Sequence, residues 1–88
     1  MADVRAGVDA MDEALIALLA QRFGYMRAAA RIKSDREAVR DEARKAAVIQ
    51  NAVDLARAQG LSESLIADLW EQLVEASIAY ELEHFDAR

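Results

Sequence analysis

Two cations stand on a helical stripe that ought to be apolar. With residues laid out at 100° each, Leu15, Leu18, Tyr25 and Ala29 fall within roughly 80° of one another. Arg22 and Lys33 fall in the same arc, whereas Arg27 and Arg31 project to the opposite side as ordinary solvated charges. Three helical turns, about 16 Å along the axis, separate the two inward cations. A buried cation is costly unless something pairs with it. Two arrangements satisfy that demand. Acidic residues of a neighbouring helix or a second chain can neutralise both. Alternatively the pair faces a pocket for a small dianion, with arginine offering a bidentate fork to a carboxylate and lysine a point charge. Ser77 and Glu81, four residues apart on or beside the inner face of the last helical segment, are suited to line such a pocket.

The remaining inventory narrows the chemistry. Cysteine is absent, which removes disulfides, thiolate metal sites and cysteine nucleophiles together. The single histidine, His84, cannot form a zinc site alone, and no carboxylate cluster has a recognisable metal spacing. His84 reads as a terminal-turn residue, and Trp70 and Tyr80 read as packing groups. With 16 acidic against 11 basic side chains the net charge is −5, the wrong sign for a nucleic-acid binder. No apolar run is long enough for a membrane span, and the first residues lack the build of a signal peptide. A cytoplasmic protein without a cofactor is the expectation.

These residues must be positioned by helices. Proline is missing, glycine occurs three times and 20 of the 88 residues are alanine. Nothing alternates as a strand would. The expected fold is all-α, one domain over 1–88 with three helices. The first runs from about residue 4 to 33, with Asp3 as N-cap and an apolar stripe through Val4, Val8, Met11, Leu15, Leu18, Tyr25, Met26, Ala29 and Ile32. Ser34 and Glu37 stand at capping-box spacing ahead of a second helix over 38–58, which Gly60 ends. Ser62 caps a third, with Leu65, Ile66, Leu69, Trp70, Leu73, Ala76 and Tyr80 inside. A first helix of this length is about 45 Å long, whereas a compact chain of this size spans roughly 30 Å. The first helix therefore overhangs a monomeric core, and an intertwined homodimer is the economical way to cover it.

In this order the residues resemble a known family. Arg5 with Asp9-Ala10-Met11-Asp12, then Leu15 through Arg22, then Lys33, resembles the first helix of the all-helical class of chorismate mutase. Val39-Arg40-Asp41 with Arg44 resembles that family's second-helix entry, and Gly60-Leu61 through Ser77 to Glu81 its third helix. The resemblance implies an intertwined dimer with two equivalent sites for the dianion chorismate and no cofactor. Arg5 would be lent by the other subunit and hold one carboxylate. Arg22 would hold a carboxylate within its own chain, and Lys33 a carboxylate and the ether oxygen whose bond breaks. Asp41 and Arg44 would line the second-helix side, Ser77 would assist a carboxylate, and Glu81 would occupy a position often held by glutamine. The implied activity is the rearrangement of chorismate to prephenate, a step of aromatic amino acid biosynthesis, at catalytic Lys33, Glu81 and Arg22. It leaves open whether a partner enzyme of the shikimate pathway is involved.

Two positions depart from the mutase pattern. Lys45 stands where a glutamate commonly receives the substrate's ring hydroxyl, and a lysine cannot accept that bond. Glu81 is the second. The stretch Tyr25 to Lys33 also resembles isochorismate pyruvate-lyase, which removes pyruvate from isochorismate to leave salicylate. Lyase activity is the enzymatic alternative. A non-catalytic helical dimerisation or regulatory module, with Arg22 and Lys33 as internal ion-pair partners, is the alternative of another class.

Overall fold

A computed structural model describes residues 1–88. Three helices make up the chain, α1 over Ala2–Ile32, α2 over Glu42–Ala58 and α3 over Glu63–Asp86, with a 3₁₀ turn at Arg36–Ala38. Both α1 and α2 pack against α3. The molecule measures 50 × 24 × 15 Å, its long dimension set by α1. No helix is long and apolar enough to cross a membrane.

The helix boundaries follow capping chemistry more closely than the sequence expectation did. Asp3 lies inside the first turn of α1, favourable to the helix dipole, and Met1 occupies the cap without a side-chain bond. The capping box expected at Ser34 and Glu37 does not form. α2 starts at Glu42, where the Asp41 carboxylate accepts the Arg44 amide at 3.0 Å. The cause is Val39, which is drawn into the core with Val74 and Ile78. The chain brings that side chain inside at the end of the 3₁₀ turn Arg36–Ala38, and Asp41 is the first capping residue after it. At α3 the expectation stands: the Ser62 hydroxyl accepts the Leu65 amide, and Gly60 takes the left-handed conformation, φ 72°.

The core is small. Val39, Val74 and Ile78 are buried, with Val48, Ile49, Trp70, Leu82 and Phe85 packed around them. The stripe of α1 divides in two. Residues 1–18 are exposed throughout, including Val4, Val8, Met11, Leu15 and Leu18. Beyond them α3 covers a strip holding Met26, Ala29 and Ala30, with Ala30 fully inside. Tyr25 and Ile32, expected to point inward, are 75% and 81% exposed. One narrow helix covers only one strip of its neighbour, so an apolar band wider than that strip is left bare within the single chain. Likewise Leu65 and Leu69 of α3 stay half-exposed while Val74, Ser77, Ile78 and Glu81 form its buried face.

Candidate active site

Four segments enclose a cavity of about 390 Å³, a volume suited to a small organic ligand. α1 contributes Arg22, Met26, Ala29 and Lys33, at steps of four, three and four that keep them on one face. The junction contributes Ala38, Val39 and Asp41, and α2 contributes Arg44, Lys45 and Val48. Val74, Ser77, Ile78 and Glu81 of α3 form the floor. Six of the seven expected site residues thus meet at one cavity. Arg5 does not, standing 17 residues before Arg22, about 25 Å along α1.

The two inward cations are treated differently. Lys33 Nζ donates to both Glu81 oxygens, at 3.2 and 3.1 Å, and the Glu81 side chain is only 5% exposed. An ammonium carries three protons, so one remains available to a ligand. Pairing with an acid of the third helix therefore holds for Lys33. It fails for Arg22, whose guanidinium meets no carboxylate. Its hydrogen bond goes to Ser77 Oγ at 2.6 Å. The Ser77 hydroxyl in turn donates to the Leu73 carbonyl at 2.7 Å, one turn back along α3. That proton is committed, so a lone pair faces Arg22 and holds the guanidinium in place. Burial first, and the like charge of Arg44 second, depress the Arg22 pKa below the usual guanidinium value. Arginine keeps its proton regardless.

Arg44 lies one turn into α2, aimed by the Asp41 cap, and its guanidinium makes no hydrogen bond or ion pair within the chain. Its neighbour Lys45 is bound by Glu71 at 2.7 Å and Glu75 at 2.9 Å. Glu75 also accepts a fork from Arg40 at 3.0 and 2.9 Å. Arg40 and Lys45 together pull the Glu75 carboxyl down to about 2. These bonds tie α2 to α3 beside the cavity and turn the Lys45 ammonium toward α3. Sequence reading missed this network, since nothing in the spacing says which helix Glu71 and Glu75 face. It also set Arg27 among solvated charges, whereas its guanidinium bends back to the Tyr80 hydroxyl at 2.7 Å.

The cavity therefore presents two arginines without carboxylate partners, the Lys33 ammonium with a proton to spare, and a floor on which Val74 and Ile78 flank Ser77 and Glu81. Such a wall is complementary to a compact dianion. Comparison with known proteins agrees with that chemistry. The family model described as chorismate mutase type II matches residues 4–82. The chain belongs to this family. It is also similar to isochorismate pyruvate lyase of Pseudomonas aeruginosa, 27% identical over 85 residues that cover 97% of this chain and 84% of that protein.

Proposed function

We propose that this chain is a chorismate mutase that works as an intertwined homodimer with two shared sites. The observation that carries the reading is Arg22: a half-buried guanidinium on the cavity wall, fixed by Ser77 and left without an acid in a protein of net charge −5. The reaction is an isomerisation in which an ether C–O bond breaks as a C–C bond forms. It calls for no nucleophile or redox partner, only for holding the folded reactive conformer and stabilising charge on the departing ether oxygen. Arg22 and Arg44 take the anionic groups, Ser77 assists, and the spare Lys33 proton serves the ether oxygen. Glu81 holds the ammonium in place.

The bare first half of α1 supports the dimer. Val4, Val8, Met11, Leu15 and Leu18 are each more than half exposed, and covering the exposed part of them contributes on the order of 5 kcal/mol per chain. The occupant is a second copy, whose α1 brings Arg5 to the open end of the cavity. The chain should sediment at twice 9.7 kDa with a concentration-dependent melting midpoint. A stable folded monomer at micromolar concentration would remove the shared site.

A second reading, isochorismate pyruvate-lyase, is favoured by one position. Lys45 supplies no acceptor to the cavity, its ammonium being committed to Glu71 and Glu75. Incubation with chorismate and with isochorismate, with products identified, separates the readings. Prephenate supports the mutase and salicylate the lyase. Neither product would leave a helical module that performs no such chemistry.

A further inference from the structure

α1 ends without a glycine. Its C-cap, Lys33, is extended at φ −63°, ψ 134°, so the last carbonyls need a donor from elsewhere. The donor comes from the far end of the chain. Arg88 Nη1 reaches the Lys33 carbonyl at 2.6 Å and the Ala30 carbonyl at 3.2 Å, and Nη2 reaches the Ser34 carbonyl at 3.4 Å. The guanidinium lies 3.7 Å from the centre of the Phe85 ring. A planar cation supported on an aromatic face and presented to the negative end of a helix is favourable on both counts. Beside it, Arg36 and Asp86 form a two-point ion pair at 2.9 and 3.3 Å, a second fastening between the α1–α2 junction and the end of α3.

Lys33 is consequently held at both ends by one helix. Glu81 takes its ammonium, and Arg88, seven residues further on, takes its carbonyl. The two anchors are not equivalent when a ligand arrives. An anion in the cavity takes the spare ammonium proton and so pulls the ammonium against its hold on Glu81. The carbonyl grip makes no such exchange, and it is the fastening that acts on the Lys33 backbone itself, keeping the end of α1 in register while the ammonium is shared. The geometry points to Arg88 as a positioning residue: it fixes the backbone of Lys33 so that the ammonium meets the reacting oxygen. Arg88 touches no part of the cavity, and its action passes through the Lys33 main chain and the stack on Phe85.

The kinetic part of the inference rests on the proposed role of Lys33, and its test carries an arm that does not. Arg88→Ala should lower kcat about tenfold with KM held within about twofold, since a displaced ammonium is missed chiefly in the transition state. Arg88→Lys should recover part of the loss, because an ammonium reaches one carbonyl where the guanidinium spans three. Guanidinium chloride at low millimolar concentration should restore part of the Arg88→Ala rate and leave wild type unchanged. In ligand-free protein, amide hydrogen exchange in the last turn of α1, Arg31 to Lys33, should quicken roughly tenfold in Arg88→Ala, with the middle of α3 unaffected. Unchanged exchange there overturns the inference whatever the activity. Unchanged kcat overturns it too, as does a loss without guanidinium rescue that merely follows a lower melting temperature. If wild type converts neither chorismate nor isochorismate, the proposed function fails, and the exchange arm decides the Arg88 grip by itself.

Discussion

Arg44 and Lys45 are consecutive on one helix and lead opposite lives. Lys45 is bound by two glutamates, and Arg40, one turn before Arg44, by two as well. Arg44 meets none, and neither does Arg22 across the cavity. Scarcity of acid does not explain this, because 16 carboxylates serve 11 cations. Glu71 and Glu75 sit where they neutralise the outer side of α2, and no acid is placed to neutralise Arg22 or Arg44. The difference separates cations that join helices from cations that line the cavity without a carboxylate. Screened, exposed pairs such as Arg40–Glu75 contribute little stability each, whereas Arg22 and Arg44 are two like charges left facing one cavity, and in the proposed reading an anion completes them.

The sharpest break in this comparison comes from removing the free cations. Arg22→Ala should reduce kcat/KM on the order of 10²-fold or more and barely move the melting temperature, since no carboxylate is left behind. Lys33→Ala is a less clean probe. It strands Glu81, buried and unpaired, and should destabilise the fold by about 3 kcal/mol as well as lower activity; thermal melts of the two variants would separate the cases. Coexpressing Arg5→Ala with Arg22→Ala tests the shared site. In a mixed dimer one site collects both defects and the other is intact, so random mixing should return roughly a quarter of wild-type activity. No recovery from verified heterodimers would contradict the lending of Arg5.

A medium effect belongs to Glu81. Ionised, it only accepts, so beside an oxygen gaining negative charge it helps solely by holding Lys33. Glu81→Gln, which brings an amide donor to that oxygen while still able to accept from Lys33, should raise kcat/KM at neutral pH. Equal kcat/KM for the two proteins at one pH would remove Glu81 from the mechanism. The smallest effect is expected at Glu75. Its folded-state carboxyl, lowered from 4.5 to about 2 by Arg40 and Lys45, is the depressed type: its stabilisation is present above pH 4.5 and is lost as pH falls toward 2. Acid unfolding of Glu75→Gln should therefore show a slightly shallower dependence on pH in that window. Wild type and variant should converge at its lower end.

The site was far more legible in the sequence than the edges of the elements that carry it. Helical periodicity fixes angles, which is why Arg22, Lys33, Ser77 and Glu81 could be grouped before any contact was known. Capping is a contest among nearby residues. Ser34 and Glu37 had the better pattern, and Asp41 prevailed because Val39 had to enter the core first. Tyr25 and Ile32 read as buried because one apolar band was treated as one face. α3 covers only part of that band, and the sequence carries no mark of where its cover stops. The grip of Arg88 was invisible for a different reason: it acts on backbone carbonyls, which have no residue type to recognise.

The central claim, that the acid-free cations lining the cavity mark the functional surface, is tested most directly by one pair of arginines. Arg22→Gln and Arg40→Gln remove the same guanidinium and leave the same amide. The measurement is kcat/KM for chorismate in the two variants under identical conditions. The account predicts a loss on the order of 10²-fold for Arg22→Gln and a change within about twofold for the exposed, acid-paired Arg40→Gln. Comparable losses in both, or a larger one at Arg40, would contradict it.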